Sequence, residues 1–360
     1  QAPAPAPAQG GGASQPAMSQ DKLDSLLAPI ALYPDELLVQ ALMASTYPLD
    51  VVEATRFVKA NKDLKGDAMV KAAEAKNWDP SVQALTAYPQ VLEMMNDKLD
   101  WTQELGDAVL ADQARVMQTV QNLRQKAQAA GNLKSNEQQK VVQQEKTIII
   151  EPAQPQTVYV PTYNPAVVYG AWWAPTYPPY YWPPPPYYYP GYAVGAGLVG
   201  FGIGLAVGSA WGWCGANWGG NEININNNNN FVRNSNNAEF KNKVQNGNWN
   251  HNPSQRKGVA YRDQGTRDKY ARPAIAAASS FLDGAHLLFS FRSHRMLWRM
   301  DIVRAAVRGR RMNEVYQGRL DRCIFPHHRI AEDQRVHAGA REHRQRLDGR
   351  GDDGVAARVE

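Results

Sequence analysis

The sequence predicts a mainly α protein: an N-terminal multi-helix domain, a short β-hairpin, then a Pro/Tyr-, Gly- and Asn-rich, largely irregular region. Three observations predict it. Apolar residues recur at helical spacing from Asp21, and a Tyr-Pro pair restarts the pattern several times before residue 95. After about residue 150 the composition turns Pro/Tyr-rich, then Gly-rich, Asn-rich and finally Arg-rich.

The first 18 residues, opening "QAPAPAPAQGGGASQP", hold too little apolar bulk to fold and predict an extended tether. A start on Gln rather than Met fits a mature chain exported to the periplasm or cell envelope of a bacterium. Within the expected helical domain (19–132), Leu23, Leu26, Leu27 and Ile30 form the first stripe. "ALYPDELL", "STYPLDVV" and "TAYPQVLEMM" then repeat one device, with "NWDPSVQAL" as a variant. Proline suits the first helical position, where its missing N–H would be unpaired anyway, and it pushes the preceding residue out of the helical region. Each pair therefore ends one helix and starts the next, with the tyrosines expected to pack at the corners. A longer helix is expected from Asp97 to Ala130, its apolar edge running from Trp101 to Leu123 and its end at Gly131-Asn132.

In 133–170 the period changes. Thr147–Glu151 and Thr157–Val160 are β-branched and aromatic runs bounded by proline, expected to pair as two short strands or a hairpin. Residues 171–192 carry ten aromatics and eight prolines, a stiff arm whose rings offer an interaction surface: Trp172, Trp173, Tyr187, Tyr188 and Tyr189.

In 193–220, Gly200, Gly204, Gly208 and Gly212 recur every fourth residue. On a helix they would form one smooth face for close packing, a glycine zipper. The uncharged span 193–210 would be about 27 Å long as a helix, near a hydrocarbon core of roughly 30 Å, and aromatics flank both ends. Membrane association or a homo-oligomer is the expectation. "GAGLVG" also matches a dinucleotide loop, but the Pro/Tyr run before it and the Asn tract after it deny the strand and helix that motif needs. The Asn-rich stretch 221–247 is expected to be disordered.

Together, "APIALYPDELLVQALMASTYP", "VYVPTYNP", the Tyr/Pro and Gly blocks and "NWNHNPSQRKGVAYRD" resemble one bacterial exported family, catalogued as domain of unknown function 3300. The resemblance covers about residues 21–270 and implies an envelope compartment, not a mechanism. Its C-terminal motif (248–270) corresponds here to Trp249, His251, Pro253, Arg256, Tyr261, Arg262 and Asp263.

From Ala271 the chain holds 17 Arg and no Lys, six of its seven His and a single Asn. No fold class requires that composition, and it reads as an out-of-frame or unstructured tail. It accounts for the whole net charge of +5. The scattered arginines do not form a nucleic-acid face, and no zinc spacing is present. No cofactor is expected.

Outside the tail, Cys214 and His251 remain as a conceivable nucleophile pair without a local signature, and no G-x-S-x-G, P-loop or H-E-x-x-H occurs. The sequence therefore predicts a non-enzymatic envelope protein of structural or assembly type. The alternative is a glycan-binding protein using the aromatic arm, with an envelope protein as another partner class and a hydrolase as the remaining reading.

Overall fold

A computed structural model describes residues 18–189, 199–235, 240 and 247–270. The tether up to residue 17 and the Arg-rich tail lie outside these residues, as do 190–198, which end the expected arm and begin the expected glycine segment, and most of 236–246.

Eight helices open the chain: α1 (Gln20–Leu27), α2 (Asp35–Ser45), α3 (Pro48–Ala60), α4 (Asp67–Ala73), α5 (Pro80–Leu85), α6 (Pro89–Asp97), α7 (Leu99–Ala111) and α8 (Gln113–Ala129). The start signals work as local chemistry demands. Pro48, Pro80 and Pro89 each occupy the first turn. Ser19 caps α1 by accepting from the Lys22 N–H, and Asp79 caps α5 by accepting from the Ser81 N–H. At α2 the proline stands one residue earlier, so Asp35 and Glu36 form its first turn. Tyr33, Tyr47 and Tyr88 are buried at the corners that their Tyr-Pro pairs make.

The expected long helix is two. Asp112 leaves helical geometry at φ −155° and caps α8 by accepting from the Arg115 N–H. The apolar edge continues across this break, which is why periodicity alone joins the two pieces. Gly131, at φ +75°, then lets the Asn132 N–H reach the Ala127 carbonyl at 2.9 Å and close α8.

α2 lies at the centre. Every residue from Glu36 to Ser45 is buried, because α5, α7 and strand β7 (Cys214–Asn217) pack around it. A helix apolar on nearly all sides needs such a coat.

The strands are short and pair antiparallel. β1 (Gln139–Gln144) pairs with β2 (Thr147–Pro152) through the turn at Glu145-Lys146. The hairpin partner of β2 is thus the polar "QKVVQQ", not Thr157–Val160. The latter stretch instead yields β3 (Thr157–Val158), which pairs with β6 (Leu205–Ala206), while β4 (Pro161–Thr162) pairs with β5 (Gly200–Phe201). α9 (Pro165–Val168) follows β4, and β7 pairs with β8 (Glu222–Ile225). Part of the Asn tract is therefore ordered, as β8 and α10 (Asn230–Asn234). The chain of described residues ends in α11 (Gln264–Tyr270).

The glycine stripe does not form a helix. Gly200 lies in β5, Gly204 just before β6, Gly208 in a single 3-10 turn (Gly208–Ala210), and Gly212 between that turn and β7. Many glycines disfavour helix, and β3 and β4 offer open edges that take the segment as strand. A Cβ at Gly204 would stand 2.9 Å from two ring carbons of Tyr159, and one at Gly208 would run into the Asp67 carboxylate. Glycine is needed here so that the segment can lie flat against the helical domain. Among the described residues no helix is long and apolar enough to cross a membrane.

Candidate functional site

The helical domain and the aromatic arm enclose a cleft of about 240 Å³. One wall is α6, which presents Gln90, Glu93, Met94 and Asp97, the i, i+3, i+4, i+7 face of that helix. Trp182, Pro183, Pro184, Pro185 and Tyr189 form the facing wall, and Tyr33 with the β4 residues closes the back.

The arm is fixed rather than free. Trp182 packs edge-on against Trp101, centroids 4.5 Å apart, and Trp101 donates to the Leu26 carbonyl at 2.9 Å. Tyr188 donates its hydroxyl to Glu93 at 3.3 Å, and its carbonyl accepts from the Ile203 N–H at 3.0 Å. Burial and the nearby Glu93 carboxylate push the Tyr188 hydroxyl up to about 12, so it remains a donor at ordinary pH. The Gly202 N–H donates to Val160 at 3.0 Å. The glycine segment thus ties the arm to the β4 edge.

At α6 one feature stands apart. Gln90 is only 4% exposed, and among the described residues neither its Oε1 nor its Nε2 has a hydrogen-bond partner. Buried amides are ordinarily paired.

The arm residues expected to form an interaction surface divide. Trp172 and Trp173 stack on each other at 4.2 Å, and Lys126 sits 3.9 Å above the Trp173 ring. Their indole N–H groups donate within the protein, Trp172 to Tyr177 at 2.8 Å and Trp173 to Asp24 at 2.8 Å. Both therefore anchor the arm. Tyr189 is buried and lines the cleft, Tyr188 bridges to α6, and Tyr187 stands 73% exposed beside Tyr188.

The C-terminal motif clamps the helical domain. Arg256 is buried, donates to Asp107 at 2.9 Å and to the Thr46 carbonyl at 3.2 Å, and lies over the Tyr261 ring. His251 stacks on Tyr47 and shares a 3.0 Å hydrogen bond with Tyr261, while Trp249 meets it edge-on. Asn252, beside Pro253, donates its N–H to the Tyr47 hydroxyl at 3.0 Å. Arg262 reaches Asp100 and Glu104 at the surface, and Asp263 accepts from the Thr266 N–H at the start of α11.

The buried carboxylates have partners of the same kind. Glu36 accepts from the Gly212 N–H with both oxygens, at 2.8 and 2.7 Å, and from the Trp213 N–H at 3.3 Å. Burial nonetheless raises it to about 8. Asp79, likewise raised by burial to about 6, accepts from Ser81. Asp50 is paired with Lys257 at 2.7 Å and accepts from Gln255. Cys214 lies on β7, where burial and then Glu36 push its thiol well above the ordinary range, opposite to what a thiolate nucleophile needs. His251 sits instead in its aromatic cage, so the sequence pairing of Cys214 with His251 joins residues held in different surroundings.

Sequence reasoning overlooked Gln90, Glu93 and Trp182. Gln90, Glu93 and Asp97 share one helical face in the sequence, but nothing local shows that the arm returns to cover it.

These features define a helical protein whose low-complexity half is folded back onto it as a fixed arm, glycine-rich edge strands and a C-terminal clamp. The chain belongs to the family described as "Protein of unknown function (DUF3300)", whose model matches residues 19–251. It is similar to the uncharacterized protein YacH of Escherichia coli (strain K12), 35% identical over 327 residues, a match covering 73% of this chain and 52% of YacH. The chain thus spans about half the length of that relative. No solved structure matches.

Proposed function

We propose that the chain is a non-enzymatic, exported cell-envelope protein of binding or assembly type, and that it holds an envelope glycan in the cleft between the aromatic arm and α6. The exported part of this reading rests on the compartment that the family resemblance implies. One observation carries the binding reading: a concave, aromatic- and proline-walled cleft with a few polar groups on one helix face. That is the chemistry of a site for a ligand with apolar faces and a polar edge, which describes a sugar ring. The buried carboxylates and Cys214 are engaged in holding the fold, which favours binding over catalysis.

The test is sedimentation of the full chain with insoluble peptidoglycan, against Trp182→Ala. Retention of the wild type in the pellet, with about fivefold to tenfold weaker binding by the variant, is expected from loss of one stacking ring. A wild-type chain that stays in the supernatant overturns the reading.

A further inference from the structure

We propose that Gln90 is the recognition group of this cleft, and that it reads the acetamido group of an N-acetylated amino sugar. The proposal rests on the glycan reading and names the part of the sugar that is recognised.

A carboxamide offers a donor and an acceptor side by side. At Gln90 both are unpaired among the described residues and shut off from solvent, so meeting a ligand in the cleft takes a turn of the carboxamide toward it. Leaving both open is unfavourable to the free fold, so the fitting explanation is a ligand that supplies them. The complement of an amide is another amide. An acetamido N–H can donate to Oε1 while its carbonyl accepts from Nε2, and its methyl group suits the neighbouring Met94 and proline surfaces. Glu93 and Asp97, on the same face of α6, can accept from ring hydroxyls.

Size agrees. A cavity of about 240 Å³ equals roughly eight water volumes at about 30 Å³ each, space for one ring and its substituent. A proline-rich peptide fits less well, because the chain's own Pro183–Pro185 already forms the wall that such a ligand would have to cover. Two carboxylates with only Lys98 beside them disfavour a strongly anionic ligand.

The test titrates the full chain by calorimetry with N,N′-diacetylchitobiose, with cellobiose, which carries hydroxyls in place of the acetamido groups, and with a proline-rich decapeptide. The same titrations are repeated on Gln90→Met, and melting is followed for both proteins. We expect diacetylchitobiose to bind at least about tenfold more tightly than cellobiose, the worth of a recovered hydrogen-bond pair. In Gln90→Met that preference should vanish while the melting temperature holds or rises, because the unpaired amide is gone. A lower melting temperature with unchanged preference would make Gln90 a structural residue and overturn the proposal. Equal binding of the two disaccharides overturns the assignment to Gln90 but leaves the glycan reading intact. If neither sugar binds, or only the peptide does, both fall.

Discussion

Arg124 offers the sharpest test of how the helical domain is held to the hairpin. Its side chain is fully buried. Nε donates to the Ala31 carbonyl at 2.8 Å, one terminal nitrogen to Asp35 at 2.6 Å and to the Ile148 carbonyl at 2.8 Å, and the other to the Tyr33 carbonyl at 2.9 Å. The guanidinium also lies 4.9 Å from the Trp218 ring centroid. Arg124→Met keeps much of the volume and removes every donor. Breaking a buried ion pair from one side costs about 3–5 kcal/mol, and each carbonyl left unpaired adds up to about 1–3 kcal/mol where water cannot reach it. These contributions overlap, since Asp35 keeps its bonds from the Trp218 indole and the Ile150 N–H. A loss of about 4 kcal/mol is therefore the expectation. For a folded unit of this size it corresponds to a fall of roughly 8–16 °C in Tm. Urea denaturation followed by circular dichroism measures the first quantity and a thermal scan the second. Arg124→Lys should recover only part, because a point charge cannot span four acceptors. With Asp35→Asn the double variant should lose less than the sum of the singles. A loss below about 1 kcal/mol with an unchanged spectrum would refute the reasoning, since no buried pair with orphaned carbonyls is that cheap to break.

Other outcomes follow from the same contacts. Glu36, held at about 8 against an ordinary 4.5 by burial, binds its proton more tightly in the fold than in the unfolded chain. Its contribution to stability is complete below about pH 4.5 and lost as pH rises through about 8, so Glu36→Gln should flatten the decline of urea midpoint across that window. A smaller decline between the ordinary 3.8 and about 6, owed to Asp79, should survive in that variant. Gly204→Ala forces a methyl group onto the Tyr159 ring and should cost about 1–3 kcal/mol by thermal melting, with recovery when Tyr159 is also changed to Ala. Arg256→Ala leaves Asp107 and the Thr46 carbonyl without their donor. It should cost about 3 kcal/mol or more and speed amide exchange at the α2–α3 corner, whereas Arg262→Ala, at the surface, should change stability by less than about 1 kcal/mol.

What could be read from the sequence was local. Pro48, Pro80 and Pro89 announce their helices because a missing N–H and a fixed φ act within one turn. The break at Asp112 escaped notice because the apolar stripe runs through it, and β1 because most of "QKVVQQ" is polar, as suits an edge exposed on one face. The period-four glycines misled for a different reason. Their spacing matches a helix face, but their role is set by Tyr159, Asp67 and the β3–β4 edges, all far upstream in the chain. Composition likewise suggested a stiff arm with its rings free for interaction. Only the indole and hydroxyl contacts of Trp173, Trp182 and Tyr188 show that it is tied down. Gln90 was invisible because an unpaired amide is a property of its surroundings, not of a motif.

The coat around α2 has a consequence for synthesis. Glu36 is capped by backbone 176 residues downstream, the Tyr47 hydroxyl is met from 205 residues away, and the Thr46 carbonyl from 210. A chain emerging from its N-terminus completes all eight helices long before the residues that seal the central one exist. Until Arg256 has been made, an almost wholly apolar helix lacks part of its cover, and the nascent protein remains loosely assembled and open to chaperones. Maturation of the fold is thereby timed to residues at the end of the family match and just beyond it, and a chain truncated before residue 256 is expected to be a substrate for proteolysis rather than a smaller working protein.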